Sequence, residues 1–337
     1  MSNPIRLAIV GAGLFARDSY LPALAALTDQ FEIVAVCSRS LDSAKRLAEA
    51  IPGKVDSTDD YAGLLARSDV DALGLLVPIA AMAGMVEAAL AAGKHVISEK
   101  PAAADVASGR KLLALPRRSV WMVAEDVRYG EGLHYAAEII QSGKIGKPLI
   151  AQWLQHHAAR AGKYFATKWR TDNSFQGGFL LDGGVHYIAS LRTLLGEIDS
   201  VSAFSAEVSN DMPPIDTLSS ALRFDSGCLG TYALSFAGNV DHDSMITIVG
   251  DKGWLKAQAD RVDVSGVPGL ETTRDGMKHF PGNRIQAELA DFAEAIRSGK
   301  VPRAVPEQAV QDVAVCEALF RSGETGKVVK PERVVNA

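Results

Sequence analysis

The chain has 337 residues, 47% of them hydrophobic and 22% charged, with a formal net charge of −5. That length predicts about two domains of ~150 residues each, and the composition argues against long disorder. A mildly acidic chain has no general attraction for nucleic acid or anionic membranes, so neither is expected as a partner. The three cysteines, Cys37, Cys228 and Cys316, form no Cys-x-x-Cys pair. That pattern suits a reducing compartment and carries no zinc signature. The opening MSNPIRLAIVGAG lacks the length and flanks of a signal peptide. The most apolar stretch, Ala72 to Val86, is too short to span a bilayer and contains Pro78. A soluble, cytoplasmic protein is expected.

Up to about residue 125, short apolar runs alternate with helix-like stretches. RLAIV (6–10), EIVAVC (32–37), ALGLLV (72–77), HVIS (95–98) and VWMVAE (120–125) read as strands. Residues 14–29, 42–50, 81–92 and 105–114 carry Ala, Leu and charge at helical spacing. Continuous apolar strands separated by helices predict a parallel sheet covered on both faces.

The first strand runs directly into Gly11-Ala12-Gly13-Leu14-Phe15-Ala16, which opens a helix. Small residues let backbone N–H groups approach a pyrophosphate, and a helix N-terminus favours its charge. Gly11, Gly13, Leu14 and Phe15 are therefore cofactor-binding candidates, although a plain strand-to-helix turn reads the same way. The second strand ends in Cys37-Ser38-Arg39-Ser40, where a unit that uses NAD normally has an acid for the ribose hydroxyls. Two hydroxyls, a guanidinium and no carboxylate predict NADP(H) in preference to NAD(H), with Ser38, Arg39 and Ser40 at the 2′-phosphate. The alternative is a solvated turn in which Ser40 or Asp42 caps the next helix. At the end of HVIS, Glu99-Lys100-Pro101 presents an ammonium from a strand's carboxyl end, where open α/β sheets place ligands. A surface Glu–Lys pair at a turn is the competing reading.

Past residue 126 the pattern changes. A helix over 131–142 ends at Gly143, and PLIAQWLQHHA, SVSAFSAEV, TLSSALRF, CLGTYALSF, SMITIVG and GWLKAQA read as strands. In TLSSALRF, Leu218, Leu222 and Phe224 share one face, and Thr217, Ser219, Ala221 and Arg223 the other. With turns at 225–227 and 250–253, an antiparallel meander with one face packed on helices is expected. Helices over 284–298 and 306–322 close the chain. The expected architecture is a Rossmann dinucleotide-binding domain, 1–126. It is followed by an α+β domain, 127–337, with a large, mainly antiparallel open sheet.

Within FLLDGGVHYIA (179–189), Asp182 and His186 interrupt an apolar run. Residues four apart share a helix face, so both side chains address one cleft. Gly183 and Gly184 leave room for a ligand against the backbone. Oxidising an alcohol removes a hydride and a proton, and a histidine is suited to the proton. In isolation, the same pair also reads as an N-cap and a core histidine. His156 and His157 are adjacent on a strand and point to opposite faces. The remaining histidines show no ligand spacing, and no metal is expected.

GAGLFA, SEKP and GGFLLDGGVH, in that order, resemble the superfamily of glucose–fructose oxidoreductase, inositol dehydrogenase and rhizopine-catabolism enzymes. The resemblance extends from residue 5 to SGETGKVV at 322–329. It implies an NAD(P)-dependent sugar or polyol oxidoreductase with Lys100, Asp182 and His186 as catalytic and substrate-binding residues. Either Lys100 or His186 carries the proton; His186 as acid/base with Lys100 polarising the reacting oxygen is favoured. The family's fourth-strand motif stands here as Val77-Pro78-Ile79 with Met82, which places Val77 and Pro78, with Glu99, among the cofactor contacts. Trp169-Arg170 is similar to a pair that lines the cofactor or substrate site in family members, with packing as an equal alternative for Trp169. Arg128, after the last parallel strand, is a candidate for the nicotinamide edge. Lys163 and Tyr164 are candidates for substrate hydroxyls. The resemblance also implies a homodimer or homotetramer formed through the open sheet. Competing readings are a catalytically silent regulator of the same fold, or a reductase of an atypical substrate such as a dihydrodiol or tetrapyrrole.

Overall fold

The computed structural model describes residues 3–158, 167–171, 175–209, 212–270 and 275–334. The chain divides into two compact units, Met1–Asp126 with Asn283–Val310, and Val127–Gly282 with Gln311–Ala337.

In the first unit, β1 (Ile5–Val10), β2 (Phe31–Cys37), β3 (Asp56–Thr58), β4 (Ala72–Leu75), β5 (His95–Glu99) and β6 (Trp121–Ala124) form a parallel sheet. Its order is β3-β2-β1-β4-β5-β6. β4 and β6 are buried at every residue, as strands covered on both faces must be. The crossovers carry α1 (Leu21–Ala25), α2 (Leu41–Ala48), α3 (Tyr61–Leu65), α4 (Ile79–Ala91) and α5 (Val106–Leu113). Asp60 and Asp105 cap α3 and α5 by accepting from Gly63 N and Ser108 N at 2.9 and 2.6 Å. β3 and α3 were not legible: Asp-Ser-Thr carries no apolar run, and α3 is five residues long. The helix expected over 14–29 runs over 14–25, with a wide π-type stretch, Ala16–Tyr20, continuing into the short α1. Pro22, near the start of α1, has no N–H to close the preceding turn at normal spacing.

The second unit contains α6 (Glu131–Gln141), α7 (Lys168–Thr171), α8 (Phe179–Asp182) and α9 (Gly184–Leu195). Its strands are β7 (Pro148–His156), β8 (Ile198–Ala206), β9 (Thr217–Phe224), β10 (Leu229–Ser235), β11 (His242–Asp243), β12 (Ile246–Gly250), β13 (Trp254–Ala257), β14 (Arg261–Asp263) and β15 (Met277–His279). They form one sheet, ordered β15-β14-β13-β12-β7-β10-β9-β8, with β11 beside β7. The sheet is mainly antiparallel, as expected, and is made mixed by β7 and β10, which pair in parallel. A parallel pair needs a long connection, and α7 to β9 supply it. The alternation in β9 is as expected, with Leu218, Leu222 and Phe224 buried and Ser219, Ala221 and Arg223 exposed. On the open face Ile150, Leu154, Phe204 and Leu229 are 57%, 49%, 80% and 52% exposed.

Residues 283–310 group with the first unit. α10 (Arg284–Ser298) and the first turn of α11 (Pro306–Thr325) belong with the first unit, and the rest of α11 with the second. α10 buries Leu289, Phe292 and Ala293 and stacks Phe292 on Phe31 of β2, with ring centroids 6.4 Å apart. An amphipathic pattern says that a helix has a core face, not which sheet that face covers. Among the described residues no helix is long and apolar enough to cross a membrane.

Candidate active site

In the first unit, the turn after β1 sits at the sheet's switch point, between β1 and β4. Gly11 N donates to Cys37 O at 2.8 Å, and Leu76 N donates to Val10 O at 2.7 Å. Gly11 has φ +106°, and a Cβ there would lie 2.1 Å from Leu76 O. No other residue fits. A Cβ on Gly13 would meet nothing within 4 Å, so that backbone faces open space at the head of the helical turn. Leu14 and Phe15 flank it, half-buried, and Ala16 is buried where a third glycine is usual. Such a cradle, at the crevice where strand order reverses, fits a dinucleotide pyrophosphate.

At the end of β2, Ser38 is half-buried and Arg39 exposed. Ser40 takes the alternative role, because its hydroxyl caps α2 by accepting from Ser43 N at 3.4 Å. Val77 and Pro78 are half-buried in the turn between β4 and α4. Glu99 ends β5 and Lys100 follows it, both half-buried. The peptide between Lys100 and Pro101 is cis.

In the second unit, α8 and α9 form one nearly continuous helical path through Gly183, which has helical φ −85° and ψ −33°. Asp182 and His186 therefore share a face, as their spacing implies. Asp182 closes α8 and is no N-cap: α9 has no side-chain cap. Instead its carboxylate is 2% exposed and accepts from Arg170 Nε at 2.8 Å. Arg170, itself 7% exposed, also donates to Thr167 Oγ1 at 2.8 Å and lies 4.0 Å over the Trp169 ring. Trp169 thus packs on the guanidinium that clamps Asp182. His186 is half-buried, one turn into the path.

The glycines between them serve packing. A Cβ on Gly183 would come within 2.8 Å of Phe236 Cζ, and Gly184 lies against Cys316 and Leu234. Phe236 meets Phe179 edge-on at 4.5 Å and stacks on His157 at 5.8 Å. His157 Nε2 lies 2.5 Å from the Tyr187 hydroxyl, and burial holds its pKa below the ordinary imidazole value. The residue next to His186 is thereby tied to the sheet beneath it. His156 and His157 do diverge, since His156 bonds the Val240 and Ala237 carbonyls instead.

Arg128, just after β6, is held by side chains of its own unit. It is 7% exposed and donates to Asp312, whose other oxygen accepts from Arg192, which also pairs with Glu197. A guanidinium buried on a carboxylate is committed to holding its own unit together. Asp312 lies 184 residues after Arg128, a separation that no local pattern spans. Lys163 and Tyr164 lie outside the described residues.

The chain matches two family models. One describes the NAD-binding Rossmann fold of the Gfo/Idh/MocA oxidoreductases, over residues 5–125, and the other their C-terminal alpha/beta domain, over 137–330. It is 33% identical to the dehydrogenase FPY6 of Fusarium mangiferae over 94% of this chain and 96% of that one. With a D-xylose 1-dehydrogenase (NADP(+)) of Haloferax volcanii it shares 27% identity over 96% of this chain and 98% of that one. An oxidoreductase structure from Thermotoga maritima superposes with TM-score 0.89 at 34% identity, covering 98% of this chain and 100% of the other.

Proposed function

The chain belongs to the Gfo/Idh/MocA oxidoreductase family, and from that premise we propose that it moves hydride between NADP(H) and a secondary alcohol or ketone of a sugar, polyol or related cyclic compound. One observation carries the reading: a buried carboxylate, Asp182, is locked by Arg170 one helical turn before the half-buried His186. Helix packing alone has no need of a clamped charge at that point.

When bound, the nicotinamide supplies hydride acceptance and return. Gly11 and Gly13 shape the turn whose N–H groups hold the pyrophosphate. Arg39, exposed at the end of β2 with no carboxylate among residues 38–40, binds the 2′-phosphate. Lys100, at the carboxyl end of β5, donates to the reacting oxygen and stabilises the negative charge that develops on it. His186 takes the hydroxyl proton during oxidation and returns it during reduction. Asp182 orients the imidazole and favours its protonated form, and Arg170 fixes Asp182. The D-xylose dehydrogenase relative, whose name specifies NADP(+), supports both the substrate class and the cofactor.

Three free, buried cysteines support a reducing, cytoplasmic setting. The exposed Ile150, Leu154, Phe204 and Leu229 support a homodimer or homotetramer assembled through the open sheet face. The test is nicotinamide absorbance over time with NADP⁺ or NADPH and a panel of sugars, polyols, inositols and their keto forms, beside a Lys100→Ala variant. Turnover on any member that is lost in the variant supports the reading. Tight NADPH binding without turnover across the panel counts against it and favours a cofactor-binding regulator.

A further inference from the structure

Glu288 on α10 is a charged residue that the proposed chemistry does not use, and its place in the first unit is unusual. It is 1% exposed, and its Oε2 meets no hydrogen-bond partner. α10 packs on β6 and α1. One turn before Glu288, Arg284 Nη2 reaches Asp126 Oδ2 at 3.1 Å, just beyond the end of β6. The groups whose charge acts on Glu288 are Asp126, Glu99 and Glu125, from the ends of β5 and β6, and Arg284 from its own helix. The Tyr20 hydroxyl, fully buried over Gly74 and also without a hydrogen-bond partner, feels both Glu288 and Glu99.

An ionised carboxylate in such a place would lose its hydration, gain too little in return, and face three like charges against one guanidinium. Burial, reinforced by Asp126, raises the Glu288 pKa well above the ordinary carboxyl range. Burial thus favours the protonated acid, and Glu99, next in the chain to Lys100, closes the adjacent strand.

We propose that Glu288 is a positioning residue that keeps its proton at working pH. It thereby limits the negative charge behind the Glu99–Lys100 turn, so that its ionisation at high pH weakens catalysis. A further negative charge there offsets the field by which Lys100 stabilises a developing alkoxide. The catalytic part rests on the function proposed above, whereas the proton on Glu288 does not.

Infrared titration of the wild-type protein reads the proton directly. A protonated-carboxyl stretch that persists at neutral pH and is missing in Glu288→Gln is expected; its absence from the wild type overturns the proposal. Because the folded pKa is raised, the stability tied to this group is full below the unfolded carboxyl value and is lost as pH rises towards the folded one. Glu288→Gln should therefore gain in melting temperature over the wild type as pH rises, and parallel profiles contradict the buried neutral acid. With a turned-over substrate, Glu288→Gln should move the alkaline limb of kcat/KM upward. One pH unit above the wild-type midpoint, it should retain activity of which the wild type has lost about tenfold. Superimposable limbs reject the catalytic effect. If no substrate is turned over, that result counts against the proposed function, while the infrared and melting data still decide the proton.

Discussion

The two units handle charge in opposite ways. In the first, the features that would receive a ligand under the proposed function include backbone ones: a positive-φ Gly11, an open Gly13 and the carboxyl end of β5. In the second, the buried charges are side chains held by other side chains, Asp182 by Arg170 and, within the unit's own support, Arg128 with Arg192 by Asp312. A backbone-built site depends on residues that are close in sequence. A site built from ion pairs depends on residues brought together only by the fold. The first is robust to surface change and intolerant of a single added Cβ; the second fails when one buried partner is removed.

The sharpest way to break this contrast is Asp312→Asn. It leaves Arg128 and Arg192 buried without their shared carboxylate, and a loss of about 3–5 kcal/mol is expected in denaturant unfolding. A loss under about 1 kcal/mol, no more than an exposed pair is worth, would show that the pair contributes little. Next in size, Gly11→Ala places a Cβ against Leu76 O at a φ that alanine avoids, and should cost about 3 kcal/mol. Gly13→Ala meets no such obstruction. It should stay within about 1 kcal/mol of wild type while NADPH affinity, followed by fluorescence titration, falls by about tenfold. Equal effects of the two substitutions on stability would erase the distinction between a steric and a ligand-facing glycine.

A smaller effect, on pH, is common to both units. His157 in the second unit and His95 in the first are both held below the ordinary imidazole pKa by burial. The His95 ring accepts from Val120 N at 3.0 Å. Each is neutral when folded, so unfolding takes up protons, and stability falls as pH drops below about 6.5 towards the folded value. His157→Gln should flatten part of that decline in melting temperature, and an unchanged slope would show that His157 does not contribute. The smallest change in stability, about 0.5 kcal/mol, is expected of Ile150→Lys with Leu154→Lys on the open face. The same variant should shift light-scattering mass towards monomer, whereas an unchanged mass would place any assembly elsewhere.

What was legible in the sequence follows the same division. β1, β2, β4, β5 and β6 were visible because strands covered on both faces are continuous apolar runs, and the glycine turn because its chemistry is local. Asp182 and His186 were legible as a pair because helical spacing relates them. Arg170 was singled out, but its hold on Asp182 was not, since no regular spacing relates positions 170 and 182. The partner of Arg128 was not legible because it is contributed by α11. The parallel pairing of β7 and β10 was missed because alternation reports a strand's faces and says nothing about its neighbours. β3, β14 and β15 are three residues each, too short to carry a period.

The central claim is that His186 carries the proton beside a clamped Asp182, and His186→Ala tests it most directly. With a substrate in hand, kcat should fall by about 10²–10⁴-fold, while NADPH affinity stays within about twofold of wild type. Turnover that survives the substitution would remove His186 from the chemistry and leave Lys100 as the proton carrier.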